Sequence, residues 1–253
     1  MLQTERDGAT VTFTLDDDAR LNALSDEMLD RLAAALDEVA ASDARVVILA
    51  AAGRAFCAGH DLREIRDRDG DPAALADLFD RCTAVMGRIR DLPQPVIARV
   101  HGLATAAGCQ LVATCDMAVA SERARFGVNG VDIGLFCSTP MVALSRNVGR
   151  KKAFEMLATG RFLSAEEAEA AGLVNRVVAP EALVDETAAL AGTVASKLPA
   201  AVRIGKGAFH AQAERPVDEA YRLTRDAMVE NLSDDDTGEG ITAFLEKRPP
   251  RWT

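Results

Sequence analysis

The sequence predicts an α/β protein in which a partly parallel sheet comes first and a helical region follows. In the first half, short β-branched runs alternate with amphipathic stretches, a pattern typical of β-α-β units. In the second half, from Thr139 onwards, helical periodicity dominates. No linker rich in glycine, serine or proline divides the two parts. We expect a core over residues 1–195 and a helical region over residues 196–253.

Two predicted strands enclose the first predicted helix. Residues 9–15 alternate and are rich in β-branched side chains, which predicts a strand with one buried face. Residues 45–52 contain the run Val-Val-Ile-Leu, which is typical of a fully buried strand. Between them, Ser25 is a suitable N-cap, and acidic residues follow it in the first turn. The apolar residues of this helix fall on one face: Met28, Leu29, Leu32, Leu36 and Val39.

The later elements follow from the same reasoning. The pattern predicts helices over residues 74–90 and 106–113 and strands over residues 95–100 and 116–120. In the second half it predicts helices near residues 181–197, 198–211, 216–231 and 238–247. Ser164 and Glu167 have the spacing of a capping box. Gly160 and Gly172 stand where helices end.

Charge excludes two classes of partner. The chain has 253 residues and a formal net charge of −10. Nucleic-acid binding needs clustered lysine and arginine, and so does adhesion to an anionic membrane, so neither partner is expected. A few local basic residues are still sufficient for one ligand that carries phosphate groups.

The cysteines and the N-terminus predict a cytoplasmic protein. The five cysteines are an odd number without a Cys-x-x-Cys pair, which favours reduced thiols. The first residues have no signal-peptide pattern, and no apolar run approaches the roughly 20 residues that span a bilayer. With only three histidines and no metal-ligand spacing, we expect no metal. No nucleotide-binding glycine motif is present, and we expect no cofactor.

Two loops predict the functional site. Phe56-Cys57-Ala58-Gly59-His60-Asp61-Leu62 follows a predicted buried strand. Residues 101–110 also follow a strand and lead into a helix. Small residues let a ligand approach the backbone, and a helix start offers unsatisfied N–H groups for a developing negative charge. Two such donors on one oxygen form an oxyanion hole. Each loop taken alone is more often an ordinary tight turn between a strand and a helix.

Together, five ordered motifs resemble the crotonase, or enoyl-CoA hydratase/isomerase, family over almost the whole chain. Besides the two loops, they comprise Leu21-Asn22-Ala23-Leu24, the segment Thr159 to Val174, and Phe244-Leu245-Glu246-Lys247-Arg248. The segment 134–140, with Gln110, further resembles the subgroup of enoyl-CoA hydratase domain-containing protein 3. The resemblance implies a repeated β-β-α spiral core, a helical C-terminal region that forms trimers or dimers of trimers, and an acyl-CoA ligand.

The resemblance also assigns roles to individual residues. The thioester carbonyl would accept hydrogen bonds from His60 N–H and Ala107 N–H. The stretch from His60 through Asp61 and Leu62 to Arg63 would border the coenzyme A, with the Ala58 carbonyl near the adenine. Arg20 and Arg63 would lie near phosphate groups, and Lys247 would reach the coenzyme, in an adjacent subunit if not in its own. Solvated surface charge is the alternative for each of these basic residues.

The sequence departs from the family where hydratases carry two catalytic glutamates. Gln110 stands at the first position and Gly130 at the second. An amide orients water but is not a carboxylate base, and glycine has no side chain, so two-glutamate hydration is not expected. Asp132 is near in sequence and would have to face the site to substitute. The segment Cys137-Ser138-Thr139 lies where related enzymes place a second catalytic or substrate-contacting group, and a buried inert thiol is the alternative for Cys137.

Three functions therefore stay open from the sequence. The first is an enoyl-CoA hydratase/isomerase-like enzyme that stabilises a thioester enolate through backbone N–H groups. The second is a non-catalytic acyl-CoA-binding protein that lost the acid/base pair. The third is an acyl-CoA thioesterase that uses Cys137 or a water molecule held by Gln110.

Overall fold

A computed structural model describes residues 1–252. Two sheets form the core, and their strand orders are β1-β2-β3-β5-β7-β10 and β4-β6-β8-β9. The strands of the larger sheet are β1 (Leu2–Asp7), β2 (Thr10–Leu15), β3 (Val46–Ala51), β5 (Val96–Val100), β7 (Met117–Ser121) and β10 (Arg176–Val178). Those of the smaller sheet are β4 (Ala55–Cys57), β6 (Leu103–Thr105), β8 (Arg125–Gly127) and β9 (Leu163–Ser164).

The pairing is mostly parallel, as the alternation of strands and helices predicts. From β2 to β10 every pair in the larger sheet is parallel, and only β1 joins β2 in the antiparallel sense. In the smaller sheet β4, β6 and β8 pair in parallel, while β9 runs antiparallel to β8. Parallel neighbours require crossover connections, which the intervening helices and loops provide.

Each helix whose range the sequence predicts is present within a few residues at each end, whereas no range is predicted for the short helices 62–67 and 140–147. In the first half they are α1 (Asp26–Ala40), α2 (Leu62–Asp67), α3 (Pro72–Asp91) and α4 (Ala107–Thr114). Next come α5 (Pro140–Asn147), α6 (Arg150–Thr159), α7 (Ala165–Ala170) and α8 (Leu183–Ala195). The last three are α9 (Pro199–Gln212), α10 (Val217–Leu232) and α11 (Asp235–Leu245). Within residues 1–252, no helix is both long and apolar enough to cross a membrane.

Strand β3 explains how the layers stack. Its side chains alternate between two apolar clusters: Val47 and Leu49 face the main core, while Val46, Ile48 and Ala50 face a smaller cluster with Leu183 and Ala191 of α8. Both faces of the sheet are therefore covered, which explains why this strand is an unbroken apolar run. The main core also contains the five apolar residues of α1 that the sequence places on one face.

The predicted caps are present. Ser25 Oγ accepts a hydrogen bond from Met28 N–H at the start of α1, at 3.2 Å. Ser164 and Glu167 complete the capping box of α7 by exchanging side-chain and backbone hydrogen bonds. Gly160 ends α6 in the left-handed conformation, with φ of 68°. These contacts set the entry and exit angles of the helices around the sheets.

The C-terminal helices leave a broad apolar surface. Neither α9 nor α10 contains a buried apolar residue, and in α11 only Ala243 is buried. Their large exposed apolar side chains are Phe209, Val217, Tyr221, Met228, Val229, Leu232, Ile241, Phe244 and Leu245. Contiguous exposed apolar surface of this kind is typical of protein interfaces. The trimeric assembly stays a prediction.

Candidate active site

The first loop is held by backbone hydrogen bonds on either side of His60. Ala58 N–H donates to the Leu21 carbonyl at 3.0 Å, and Leu24 N–H donates to the Gly59 carbonyl at 2.8 Å. The Asp61 carboxylate then caps α2 by accepting from Arg63 N–H at 2.9 Å. This contact fixes the end of the loop at the start of α2. Within residues 1–252, His60 N–H donates no hydrogen bond.

The second loop presents a helix start. Ala106 adopts φ of 50° and ψ of −120°, a conformation that strains a residue with a Cβ atom. It is fixed there because Ala106 N–H donates to the Gly127 carbonyl at 2.9 Å and its own carbonyl accepts from Gln110 N–H at 3.1 Å. Helix α4 begins at the next residue, so Ala107 N–H has no intrahelical acceptor.

The two loops touch, and glycines allow this approach. A Cβ atom built on Gly59 would lie 3.2 Å from the Ala107 nitrogen and 2.9 Å from the Ala106 Cβ. A Cβ atom built on Gly108 would lie 2.1 Å from the Cys57 carbonyl oxygen. The glycines therefore let α4 press its first turn against the strand end that carries His60. The two free N–H groups of His60 and Ala107 belong to backbone segments in direct contact.

Asn22 has a role that the sequence analysis does not assign. Its side-chain amide donates to the Ala52 and Ala55 carbonyls, both at 2.8 Å, and its Oδ1 accepts from Asp17 N–H at 2.7 Å. Asn22 is fully buried, so these contacts satisfy a polar group that is otherwise costly to bury. They tie the turn after β2 to the end of β3 and to β4 and thereby position the first loop.

The His60 side chain is held in a neutral state. Both ring nitrogens are buried without a hydrogen-bond partner, and the ring makes an edge-to-face contact with Phe79 of α3 at 5.5 Å. Burial lowers the pKa of His60; the nearby Leu24 backbone opposes that effect, and Arg68 adds to it. The role assigned to His60 needs only its backbone N–H, and the ring packs beside α3.

Gln110 and Gly130 are the residues that the resemblance places at the family's glutamate positions. Gln110 lies in the first turn of α4 with 6% of its surface exposed, and its Oε1 has no hydrogen-bond partner in residues 1–252. Gly130 is buried in the 3-10 turn 129–133, whose Asn129 Oδ1 accepts from Thr105 Oγ1 at 2.6 Å. This hydrogen bond joins the turn to β6, directly before the second loop. A free amide oxygen therefore lies in the helix that also supplies Ala107 N–H.

Loop 135–138 folds over Gly130. Leu135 N–H donates to the Gly130 carbonyl at 2.9 Å, and a Cβ atom built on Gly130 would lie 2.9 Å from Cys137 Sγ. Burial raises the pKa of the Cys137 thiol. Asp132 does not substitute for a missing glutamate, because its carboxylate faces Gly160, whose Cβ position lies 2.7 Å from Asp132 Oδ1. In the neighbouring segment, Ser138 is exposed and Thr139 is half-buried.

The predicted basic residues divide into two groups. Arg20 lies beside the first loop: its Nε donates to Asp17 at 2.7 Å, and its Nη1 is 3.9 Å from both Asp61 and Glu64. Arg63 is exposed on α2 next to the equally exposed Leu62 and forms no ion pair with residues 1–252. Lys247 is exposed after α11, and no hydrogen bond or ion pair within the described chain joins its ammonium to residues 58–63.

Burial limits the reactivity of the thiols, and the described residues form no metal-binding group. All five cysteines are free and buried, and burial raises the pKa of Cys57, Cys82 and Cys109 to about 12. These thiols therefore stay protonated near neutral pH. Within residues 1–252, no three His, Cys, Asp or Glu side chains form a group that could hold a metal ion.

Comparisons with known proteins identify the family and the fold. Residues 5–253 match the family model described as enoyl-CoA hydratase/isomerase. The chain is 45% identical to mouse enoyl-CoA hydratase domain-containing protein 3, mitochondrial, over 100% of this chain and 84% of that protein. A crystal structure of enoyl-CoA hydratase from Mycobacterium smegmatis superposes with a TM-score of 0.97 at 54% identity, covering 99% of this chain and 98% of that one.

A second solved structure connects the chain to the predicted subgroup. Human enoyl-CoA hydratase domain-containing protein 3 superposes with a TM-score of 0.96 at 46% identity and covers 99% of both chains. The match extends over both sheets and the C-terminal helices, so it includes every element that positions the two loops. The predicted fold and the predicted family are therefore confirmed. This chain belongs to the enoyl-CoA hydratase/isomerase, or crotonase, family.

Proposed function

We propose that the chain binds an acyl-CoA thioester and stabilises the thioester enolate with His60 N–H and Ala107 N–H. One observation carries this proposal: two backbone N–H groups without acceptors lie on loops whose backbones are in contact. Preorganised donors of this kind stabilise negative charge as it develops on a carbonyl oxygen. The start of α4 adds its dipole in the same direction. Membership of the family supports a thioester as the source of that carbonyl.

The first loop supplies the binding surface for the coenzyme. An extended ligand along residues 58–63 would pass the Ala58 carbonyl, Asp61 and Leu62 and reach the free guanidinium of Arg63. Arg20, beside Asp61, would lie near its phosphate groups. Apolar side chains near Gly130, among them the exposed Leu135 and Phe136, offer a surface suited to an acyl chain.

Lys247 fits this scheme through a second subunit. No hydrogen bond or ion pair joins its ammonium to the first loop within the described chain, and it follows a helix that exposes Phe244 and Leu245. Assembly through the C-terminal helices, as a homotrimer or a dimer of trimers, would cover that apolar surface and bring Lys247 to a neighbouring coenzyme. No other basic residue is proposed to contact the coenzyme from a neighbouring subunit.

The proposed chemistry is enolate stabilisation without the family's pair of glutamates. Gln110 offers an amide that orients a water molecule or a polar substrate atom, and Gly130 offers no functional group. Hydration needs a base to activate water and an acid to protonate the α-carbon. We therefore expect this enoyl-CoA hydratase/isomerase-like protein to hydrate a simple short-chain thioester poorly.

Two measurements test this function together. Isothermal titration with butyryl-CoA, a saturated thioester, should show saturable binding. Incubation of crotonyl-CoA with high protein concentration should show slow loss of the conjugated thioester absorbance. The variant Gly108→Ala should lose binding because its Cβ atom would overlap the Cys57 carbonyl, whereas Gly87→Ala, on an open helical position, should retain it. Failure of the folded wild-type protein to bind the thioester contradicts the proposal.

Two other functions are separable from this one. The lack of a carboxylate at positions 110 and 130 favours a non-catalytic acyl-CoA-binding protein, and turnover of any thioester excludes that function. The proximity of Cys137 Sγ to the Gly130 position favours a thioesterase. A raised thiol pKa opposes that role, and Cys137→Ala decides it: unchanged hydrolysis of an acyl-CoA removes the thiol from the mechanism.

A further inference from the structure

A second groove lies away from the two loops of the candidate active site. It has a volume of about 410 Å³ and is formed by the segment after α1, the segment before β5, the end of α8 and the start of α9. None of residues 56–63 or 101–110 lines it. Its size suits a small molecule rather than an acyl-CoA.

Positive charge is concentrated in this groove. Arg45, Lys197 and Arg203 line it, and none of them forms an ion pair with residues 1–252. The one lining carboxylate, Asp43, is already paired with Arg6 at 2.6 Å. The chain as a whole carries a formal charge of −10, so a local excess of cations without acidic partners favours an anion at this place.

A buried acceptor without a partner lies in the same groove. Gln94 lines it and is only 5% exposed. Its Nε2 donates to the Val39 carbonyl at 3.0 Å, which fixes the orientation of the amide, while its Oε1 is buried without any hydrogen-bond partner. An unsatisfied buried acceptor is costly, and a ligand that offers a hydrogen-bond donor removes that cost.

The start of α9 adds further donors. This 14-residue helix begins at Pro199, and its N-cap residue, Leu198, has no side chain that could accept from the first turn. Pro199 and Ala200 line the groove, so the N-terminal end of α9 borders it; Pro199 has no N–H, and the next N–H groups of the first turn have no intrahelical acceptor. Helix N-termini of this kind bind phosphate and carboxylate groups.

We propose that this groove binds a small phosphate-bearing anion that also carries a hydrogen-bond donor. Lys197, Arg203 and Arg45 hold its charge, and its hydroxyl group donates to Gln94 Oε1. Monohydrogen phosphate and a phosphate monoester with a hydroxyl group share this chemistry. The bound anion connects the segment after α1 with α8 and α9, so its binding stabilises the position of α9 on the core.

Titrations with inorganic phosphate and with sulfate test two things separately: whether the groove binds an anion, and whether Gln94 Oε1 accepts a hydrogen bond from it. Both ions carry two negative charges, but only monohydrogen phosphate has an O–H group for Gln94 Oε1. In isothermal titration of the full chain at constant ionic strength, phosphate should bind at one site about tenfold more tightly than sulfate. Equal affinity for both ions overturns the role of Gln94. The absence of saturable phosphate binding overturns the site itself.

Variants with a matched control test the cations. Lys197→Gln combined with Arg203→Gln should weaken phosphate binding at least about tenfold. Both side chains are exposed, so the variant should fold as the wild type does. The control, Arg150→Gln combined with Lys151→Gln, removes the same charge at the start of α6, where the structure offers no buried acceptor, and it should leave binding unchanged. An equal loss in both variants overturns the proposal, because binding then follows net charge alone.

Discussion

A Cβ atom at Gly130 would point at the carbonyl oxygen of Leu135 and lie only 2.3 Å from it. Cys137 Sγ would lie 2.9 Å away on the same side. The space that a catalytic glutamate would occupy at this position is therefore filled by backbone and thiol of loop 135–138. A side chain at position 130 therefore needs loop 135–138 to move, and a single substitution at Gly130 does not supply that change.

This relationship predicts that Gly130→Glu will not create a hydratase. The new side chain has to displace the Leu135 carbonyl, which should destabilise the protein by about 1–3 kcal/mol. The matched control is Gly87→Glu, because nothing lies within 4 Å of that Cβ position. Urea unfolding measures the free-energy difference, and crotonyl-CoA hydration measures activity. A stable Gly130→Glu variant with new hydratase activity would contradict this prediction, because it would show that loop 135–138 moves aside at little cost in free energy.

Replacing Ala106 with glycine should stabilise the protein. The Ala106 φ of 50° and ψ of −120° strain a residue that has a Cβ atom, and glycine adopts this region readily. Ala106→Gly should raise the free energy of unfolding by about 1 kcal/mol and leave thioester binding intact. Ala34→Gly, on an exposed position inside α1, should have the opposite sign and cost up to about 1 kcal/mol. A destabilising Ala106→Gly change would mean that the strain is not present in solution.

The buried ring of His60 should make stability depend on pH. Its pKa is lowered from 6.5, mainly because burial disfavours the charged ring, so the unfolded chain binds a proton more readily than the folded one. The free energy of unfolding should therefore fall as the pH decreases below about 6.5, until the folded-state pKa is reached.

His60→Leu should remove this part of the pH dependence. The variant keeps the backbone N–H, so it should still bind butyryl-CoA. His101→Gln, on the neighbouring loop, is the control that keeps the His60 ring. Urea unfolding at a series of pH values measures the slope of the unfolding free energy against pH. An unchanged slope in His60→Leu would show that other groups cause it.

A buried ion pair should dominate the attachment of α9. Lys206 is only 6% exposed at its side chain; its Nζ donates to Asp116 at 2.6 Å and to the Ile89 and Gln94 carbonyls at 3.0 Å. Lys206→Met leaves the Asp116 carboxylate without its main counter-charge and should cost about 3–5 kcal/mol.

An exposed pair provides the control for that prediction. Lys152→Met breaks the pair between Lys152 and Glu155, which lies on the surface, and should cost less than about 1 kcal/mol. Thermal and urea unfolding of both variants measures the difference. Similar small losses in both would mean that Asp116 gains solvent when Lys206 is removed.

The regular elements of the fold follow from the sequence because their residues share a periodic pattern. Helix α1 is predicted by five apolar residues on one face and by Ser25 at its start, and β3 is predicted by an apolar run that needs cover on both faces. The strands β4, β6, β8, β9 and β10 are not predicted, because two or three residues are too few to show a period. Strand β1 is also missed, since its side chains are mostly exposed and carry no alternating apolar signal.

The candidate site is predictable where the backbone carries the role. Small residues after two strands mark the loops, and Gly59 and Gly108 are needed for their contact. The directions of side chains are not predictable in the same way. The sequence places Asp132 close to the site, and only the 3-10 turn shows that its carboxylate faces Gly160. Asn22 offers no signal of its own beyond the motif, since its buried hydrogen bonds depend on how β3 and β4 are placed.

We expect His60 N–H and Ala107 N–H together to polarise a thioester carbonyl. Difference infrared spectroscopy of bound butyryl-CoA, with ¹³C at the thioester carbonyl, tests it most directly. Two strong hydrogen bonds weaken the C=O bond, so the carbonyl stretch of the bound thioester should lie at a lower frequency than in water. A bound thioester whose carbonyl frequency stays at its value in water would contradict the account.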